Sequence, residues 1–153
     1  MSDHGYEFYM QGCTADGVLI GGTLKNLEKD FEGLRYAKCE GLEDIGAAKN
    51  IYEEVYSDAD QVRVYIPDEI KNEATEITLT LYFTGDNRSS VRDEFNEYIR
   101  NGYHRYWDTA RNKWFVFYVK DKLTVGESMW HGSTPYIKCE YKLKNIFGKT
   151  FEV

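Results

Sequence analysis

The sequence predicts a mainly β fold, a sandwich or barrel of antiparallel strands with one principal α-helix at about residues 90–101 packed on the sheet. Three consecutive features predict it: an alternating strand, a short amphipathic helix and an aromatic hairpin. They follow one another without a linker, and a chain of 153 residues is long enough to bury one core. We therefore expect a single domain over residues 1–153.

The clearest strand is EITLTLYFT, residues 76–84. Ile77, Leu79, Leu81 and Phe83 fall on one face of it, whereas threonine and tyrosine occupy the other. A period of two with β-branched and aromatic residues is typical of a half-buried antiparallel strand. This strand should turn one face to the core and the other to a different surface.

The helix after this strand is marked at both ends. Ser89 or Ser90 is expected to cap its N-terminus, and Ser90 with Asp93 three residues later has the spacing of a capping box. Val91, Phe95 and Ile99 then form an apolar stripe at helical spacing. An asparagine and a glycine follow Arg100, and the glycine stands where a left-handed residue commonly ends a helix. The stripe predicts that the helix lies across a sheet.

The hairpin consists of YHRYW and KWFVFYVK on either side of the turn DTARN, residues 103–120 in all. Further strands are expected at residues 6–10, 18–21, 61–66, 123–130 and 136–143, with an edge contributed by the C-terminal GKTFEV. Glycines interrupt every apolar run in the first third of the chain. We expect residues 1–50 to be loop-rich and partly mobile until a neighbour orders them.

The charge balance bears on partners. A formal net charge of -7 and a pI near 5.0 argue against direct nucleic-acid binding, which draws its affinity from neutralised phosphates. Residues 26–76 carry fourteen acidic and six basic side chains, whereas residues 77–153 carry twelve basic and nine acidic ones. The split fits either a solvated surface or two faces that attract one another between copies of the chain.

No pattern of residues predicts catalysis. The three cysteines lack CxxC spacing, the three histidines lack metal-ligand spacing, and GxSxG and GxxxxGK[ST] are absent. We therefore expect no enzyme, no cofactor and no metal, with a pocket beside Trp130 and His131 as the place left for a weaker enzymatic hypothesis. No apolar signal segment or span-length apolar run occurs, which favours a soluble protein that meets no membrane.

The order EITLTLYFT, SSVRDEFNEYIRNG, YHRYWDTARNKWFVFYVK resembles the core of tailed-bacteriophage tail proteins, namely tail-tube subunits and the N-terminal domain of distal tail proteins. The resemblance covers about residues 61–144. It implies a β-sandwich with a flanking helix, stacked in rings around a lumen that DNA crosses without specific binding. It also implies a non-catalytic virion component, located in the tail and in the host cytoplasm before assembly. Its partners would be copies of itself, in a hexamer-like ring or tube, and neighbouring tail or neck proteins.

Tyrosine supplies much of the predicted contact surface, because its large ring and polar tip suit interfaces. An assembly interface is expected on the outward faces of two strands, with these residues: Tyr103, Arg105, Trp107, Tyr136, Lys138 and Glu140. The alternative is a β-sandwich binding module for carbohydrate or protein, in which Trp107, Trp114 and Trp130 form a stacking platform.

Overall fold

The structure is a computed structural model, and it describes residues 5–49, 52–54, 63–65, 71–120, 123 and 126–152. The described part contains two helices, α1 (Leu27–Asp30) and α2 (Arg88–Ile99). Its strands, in chain order, are β1 (Phe8–Cys13), β2 (Lys25–Asn26), β3 (Leu34–Glu40), β4 (Tyr52–Glu54), β5 (Arg63–Tyr65), β6 (Thr75–Thr84), β7 (Tyr103–Asp108), β8 (Lys113–Tyr118), β9 (Ser128–His131), β10 (Thr134–Asn145) and β11 (Phe151–Glu152). The mainly β fold with one principal helix is confirmed.

One antiparallel sheet runs in the order β2-β1-β7-β8-β10-β6-β3, with β11 beside β8 and β9 beside β10. The strands β8 and β10 pair only at Lys144↔Tyr118 and Asn145↔Phe117. This narrow junction lets the sheet fold over on itself, so that β1, β7 and β8 form one layer and β3, β6 and β10 the other. The Phe8 ring of the first layer stacks on Tyr36 of the second, with centroids 3.7 Å apart.

The core lies between the two layers. Strands β6 and β10 pair over ten residues, from Tyr136↔Thr84 to Asn145↔Thr75, and their inward side chains are fully or almost fully buried. The predicted apolar face of β6 is thus confirmed. Opposite it lie Met10 and the inward aromatic side chains Tyr106, Phe115 and Phe117 of β7 and β8, which complete one contiguous cluster. Aromatic rings fill this interior. They bury a large apolar area and also prefer specific ring-to-ring geometries.

Helix α2 packs on the sheet through Val91, Phe95 and Ile99, as its stripe predicts. The ring of Phe95 makes an edge contact with Tyr141 at 5.3 Å between centroids. The predicted cap at Ser89 or Ser90 is wrong, because a turn at residues 85–87 starts the helix at Arg88 and places both serines inside the first turn. No side chain caps the N-terminus.

The far end of α2 and the following hairpin agree with the sequence. Gly102 has φ +83°, the left-handed conformation that ends the helix. Strands β7 and β8 pair around the predicted five-residue turn. In that turn Asp108 Oδ1 accepts a 2.7 Å hydrogen bond from the Arg111 amide, and Asn112 takes a positive φ of 54°. Asparagine tolerates this conformation better than most residues, which explains its position in the turn.

The first third of the chain is more regular than predicted. Strand β1 is longer than expected, only an isolated bridge at Leu19 marks the strand predicted at residues 18–21, and β3 was not predicted. The register of β3 against β6 shifts between Tyr36 and Lys38. Such a bulge breaks the period of two on which recognition of a strand depends.

The remaining strand predictions are met in part. Arg63–Tyr65 is a strand that pairs with Tyr52–Glu54 in a separate two-stranded sheet, and the rest of the predicted 61–66 strand lies outside the described residues. Of the strand expected at 123–130, only the end is found, in β9, and parts of it are not described. The C-terminal edge forms as β11. In the described part of the chain, no helix is both long and apolar enough to cross a membrane.

Candidate assembly surfaces

The outward side of the first layer carries four aromatic residues and one arginine, here called the aromatic face: Tyr9, Arg105, Trp107, Trp114 and Phe151. Cross-strand register aligns Tyr9 with Trp107, Trp107 with Trp114, and Trp114 with Phe151. Tyr9 stacks on Trp107 at 5.5 Å and Trp114 stacks on Phe151 at 4.4 Å between ring centroids. The faces of these rings are therefore in contact with one another.

Arg105 completes the aromatic face by lying over the Trp114 ring, 3.7 Å from its centroid. Burial lowers the pKa of this guanidinium, although the Cys13 thiol acts in the other direction. The loop at Gly17 lies over the same strand, close to the side chains of Trp114 and Val116. Packing, rather than solvent, thus covers most of this side of the first layer.

The outward side of the second layer carries alternating lysines and glutamates, here called the charged face: Lys38, Glu40, Glu76, Lys138, Glu140 and Lys142. Lys38 pairs with Glu40 along β3, Lys138 with Glu140 at 3.6 Å along β10, and Lys142 with Glu76 at 3.7 Å across strands. The bond from Lys38 lowers the pKa of Glu40. Exposed pairs of this kind contribute little stability, so the face remains available to water or to a charged neighbour.

The six predicted interface residues divide between these two outward sides. Tyr103, Arg105 and Trp107 lie outward on β7, and Tyr136, Lys138 and Glu140 lie outward on β10. The two sides face away from each other across the core, so the structure does not bring the two groups together. Within the first group only Tyr103 is exposed, at 37%, because the other two side chains pack on the aromatic face.

The edge strand β9 carries the largest exposed apolar side chains of the second layer. All four of its residues are exposed, with Trp130 at 67% and Met129 at 52%. It pairs with the beginning of β10, where Trp130 stands opposite Pro135 and Met129 opposite Tyr136. An exposed apolar edge strand is a template for pairing with another chain, and monomeric proteins usually avoid one.

Helix α2 holds the segment around β9 in place. The Arg92 guanidinium donates a 2.8 Å hydrogen bond to the Gly126 carbonyl oxygen, and Arg88 Nε donates one of 2.9 Å to Ser128 Oγ. A Cβ atom at Gly126 would come within 2.3 Å of the Lys138 carbonyl oxygen, so only glycine fits against β10 there. The edge is therefore ordered by its own chain before any partner arrives.

A shallow groove of about 430 Å³ lies on the outward side of the second layer, beside β9. Its lining consists of Arg35, Tyr82, Thr84, His131 and Tyr136, and the rings of the two tyrosines meet edge to face at 5.8 Å. The groove joins the charged face to the exposed edge. Both features thus belong to one continuous outward surface of β3, β6, β10 and β9.

Two of the cysteines, Cys39 and Cys139, belong to the core cluster, whereas Cys13 lies near Arg105 of the aromatic face. All three cysteines are buried and free, and burial raises the pKa of the Cys39 thiol to about 12. Burial also lowers the pKa of His104, against the opposing influence of backbone carbonyls at Gly102 and Tyr98. In the part of the chain that the structure describes, no group of three or more His, Cys, Asp or Glu side chains is arranged to hold a metal.

The three tryptophans of the alternative hypothesis occupy two places. Trp107 and Trp114 stand opposite each other on the aromatic face, and Trp130 lies on β9 in the other layer. The first two rings are stacked on Tyr9 and Phe151. A sugar ring binds to the open face of an aromatic ring, so this arrangement gives little support to a platform of three.

Comparison with protein-family models yields no match to this chain, and comparison with curated proteins yields none either. The geometry of the surfaces is therefore the basis for a proposed function. Met129 was not among the predicted interface residues, and Trp130 was assigned only to the alternative platform and to the pocket of the weaker enzymatic hypothesis. A signal for the edge exists in MWHGST, where a Met-Trp pair stands directly before a glycine turn and has no alternating apolar partners.

Proposed function

We propose that the protein is a structural, self-associating component of a bacteriophage or prophage tail. In this proposal, copies assemble into rings or a stacked tube around a lumen that conducts DNA, and neighbouring tail or neck proteins complete the structure. The chain is not an enzyme and carries no cofactor. It is located in the virion tail, and in the host cytoplasm before assembly.

The observation that carries this proposal is the exposed edge strand β9. Its Trp130 and Met129 side chains are two-thirds and half exposed, and they flank main-chain groups at the end of a sheet layer. Apolar surface of this kind is stabilised when it is removed from water, by about 25 cal/mol per Å² buried. Most soluble oligomers are homo-oligomers, so a second copy of the chain is the partner that we propose for this edge.

The charge of the chain supports the second part of the proposal, passage of DNA without binding. The net charge is -7, and the charged face balances three lysines against three glutamates through described ion pairs. A surface with neutralised or negative charge releases few counterions from DNA and so gains little affinity. The acidic excess lies mainly in residues 26–76, part of which is outside the described residues.

The experiment is to measure the mass of the purified protein by light scattering over a range of protein and salt concentrations, and to image it by negative-stain microscopy. The proposal expects mass to rise well above 17.9 kDa with concentration, with rings or short tubes in the images. A DNA mobility shift at physiological salt should show no complex. Persistent monomers at all concentrations, without rings, would contradict the proposal.

A further inference from the structure

The second layer has two end strands with no strand partner on their outer side among the described residues. Its order is β9-β10-β6-β3, in which β9 pairs only with β10 and β3 only with β6. Both end strands are accessible: β9 is exposed throughout, and Ala37, Lys38 and Glu40 of β3 are exposed. The layer therefore begins and ends with main-chain groups able to pair with another strand.

The directions of these two strands are complementary. Three successive antiparallel pairings separate β9 from β3, so the two strands run in opposite directions. When a second copy is placed beside the first in the same orientation, its β3 meets β9 of the first copy in antiparallel register. No reversal of either chain is needed.

We propose that β9 of one copy pairs antiparallel with β3 of the next copy, so that the layer continues from chain to chain. This inference rests on the proposed function of self-association and names the interface that carries it. The contact is heterologous, since two different surfaces meet, and repetition of it produces a ring when the rotation closes and a filament when it does not.

The charges on β3 favour this pairing over the pairing of two β3 edges. Strand β9 contributes Ser128, Met129, Trp130 and His131, none of them a lysine, arginine or carboxylate, whereas β3 carries a charged pair at Lys38 and Glu40. Pairing of two β3 edges would bring two sets of these charges together and remove part of their hydration. Pairing of β9 with β3 instead covers the exposed Trp130 and Met129. The Lys38–Glu40 ion pair then stays partly exposed to solvent.

The pre-ordering of β9 also favours the contact. Arg92 and Arg88 of α2 already fix the backbone at Gly126 and the side chain at Ser128. A strand ordered before binding loses less conformational entropy when it joins a partner. The hydrogen bonds of the added pair then contribute to affinity instead of offsetting the cost of ordering.

A crosslinking experiment tests the pairing. Met129→Cys is made in one preparation and Lys38→Cys in another, since both positions are exposed and the three native cysteines are buried. The two preparations are mixed and treated with a short bismaleimide, which tolerates an offset of register that a disulfide would not. We expect a mixed dimer far in excess of either self-product, and a ladder of multimers from the chain that carries both substitutions.

The crosslinking experiment has one matched control and three results that would contradict the pairing. Val18→Cys, exposed at 64% on the opposite side of the sandwich, replaces Met129→Cys as the control and should give only a background of mixed product. Self-crosslinking of Met129→Cys alone as strongly as the mixture would mean a two-fold β9–β9 contact and would overturn the inference. Oligomers without the mixed product would overturn it too, while the proposed function stands. A monomeric protein under all conditions would contradict both the β9–β3 pairing and the proposed function.

Discussion

Asp108 connects the β7–β8 turn to the core. Its Oδ1 accepts the Arg111 amide, and its Oδ2 accepts a 2.7 Å hydrogen bond from the buried Tyr106 hydroxyl, whose oxygen lies 3.1 Å from that of Tyr36. Burial raises the pKa of Tyr106 well above its ordinary value, so the phenol remains a donor. One carboxylate thus serves both a turn and a buried hydroxyl.

Replacing Asp108 with alanine should therefore destabilise the protein. We expect a loss of about 2–3 kcal/mol in the free energy of unfolding, because a buried hydroxyl and a turn amide both lose their acceptor. Urea unfolding followed by circular dichroism measures it. Asp16→Ala, at an exposed position, is the matched control and should leave the midpoint unchanged. Equal midpoints for the two variants would contradict this role for Asp108.

We expect His104 to make the stability depend on pH. Its ring is buried between Tyr98 of α2, at 4.8 Å, and Phe117 of β8, at 5.8 Å between centroids, and its Nδ1 has no partner among the described residues. Burial lowers the pKa in the folded state, whereas the unfolded chain has the ordinary value near 6.5. As pH falls below about 6.5, the unfolded state takes up the proton first and the folded state loses stability.

Unfolding measured between pH 7.5 and 5.5 tests this behaviour. The wild-type protein should lose stability over this range more steeply than His104→Phe, which has no titrating ring at that position. His131→Gln, at the exposed end of β9, is the control and should keep the wild-type slope. Identical slopes for the wild type and His104→Phe would show that this histidine does not titrate differently in the two states.

For individual residues, the sequence predicts backbone requirements better than side-chain contacts. Gly102 was identified because a left-handed residue after a helix has a strong preference for glycine. The cap at Ser90 was wrong because the helix begins two residues earlier, in a turn whose start a sequence pattern fixes poorly. The orientation of Arg105 over Trp114 depends on cross-strand register, which the chain's order does not state.

Helix α2 is anchored to the sheet chiefly by Phe95. The ring is fully buried and meets Phe31 at 5.2 Å, Phe83 at 6.1 Å and Tyr141 at 5.3 Å between centroids. Phe95→Ala should lower the free energy of unfolding by about 3–5 kcal/mol, since it leaves a cavity among aromatic neighbours that have little room to collapse. Thermal or urea unfolding gives the value.

The matched variant for this helix is Phe95→Leu. It retains most of the apolar volume and should cost about half as much as the alanine variant or less. A small and equal effect of both substitutions would mean that α2 is held by other contacts. A retained far-ultraviolet spectrum in both variants confirms that the comparison concerns stability and not misfolding.

The elements differ in how far the sequence reveals them. Strand β6 was predicted because its apolar residues keep a period of two, and the β7–β8 hairpin because two aromatic segments flank a turn that begins with Asp and ends with Asn. Strand β3 was missed because its bulge at Tyr36 and Lys38 breaks that period, and β9 was misplaced because all four of its residues are exposed. A strand that buries nothing within its own chain leaves no core pattern to recognise. The candidate contact surface was therefore the least predictable part.

The whole molecule presents two unlike outward sides. The aromatic face is covered by its own rings, by Arg105 and by the loop at Gly17, whereas the second layer ends in the exposed β9 and carries the charged face. An assembly built through the second layer would leave the first layer's side outward. The charge split between halves of the sequence, with its acidic excess at residues 26–76, would then set the approach of copies more than their affinity.

Self-association through β9 is tested by the oligomeric mass of Trp130→Lys beside that of Val18→Lys, determined by sedimentation at matched concentrations. Both substitutions place a charge on a strongly exposed apolar position, at 67% and 64% exposure, but only the first lies on β9. The account predicts that Trp130→Lys remains monomeric at concentrations where Val18→Lys and the wild type assemble. Assembly of Trp130→Lys to the wild-type mass would contradict it.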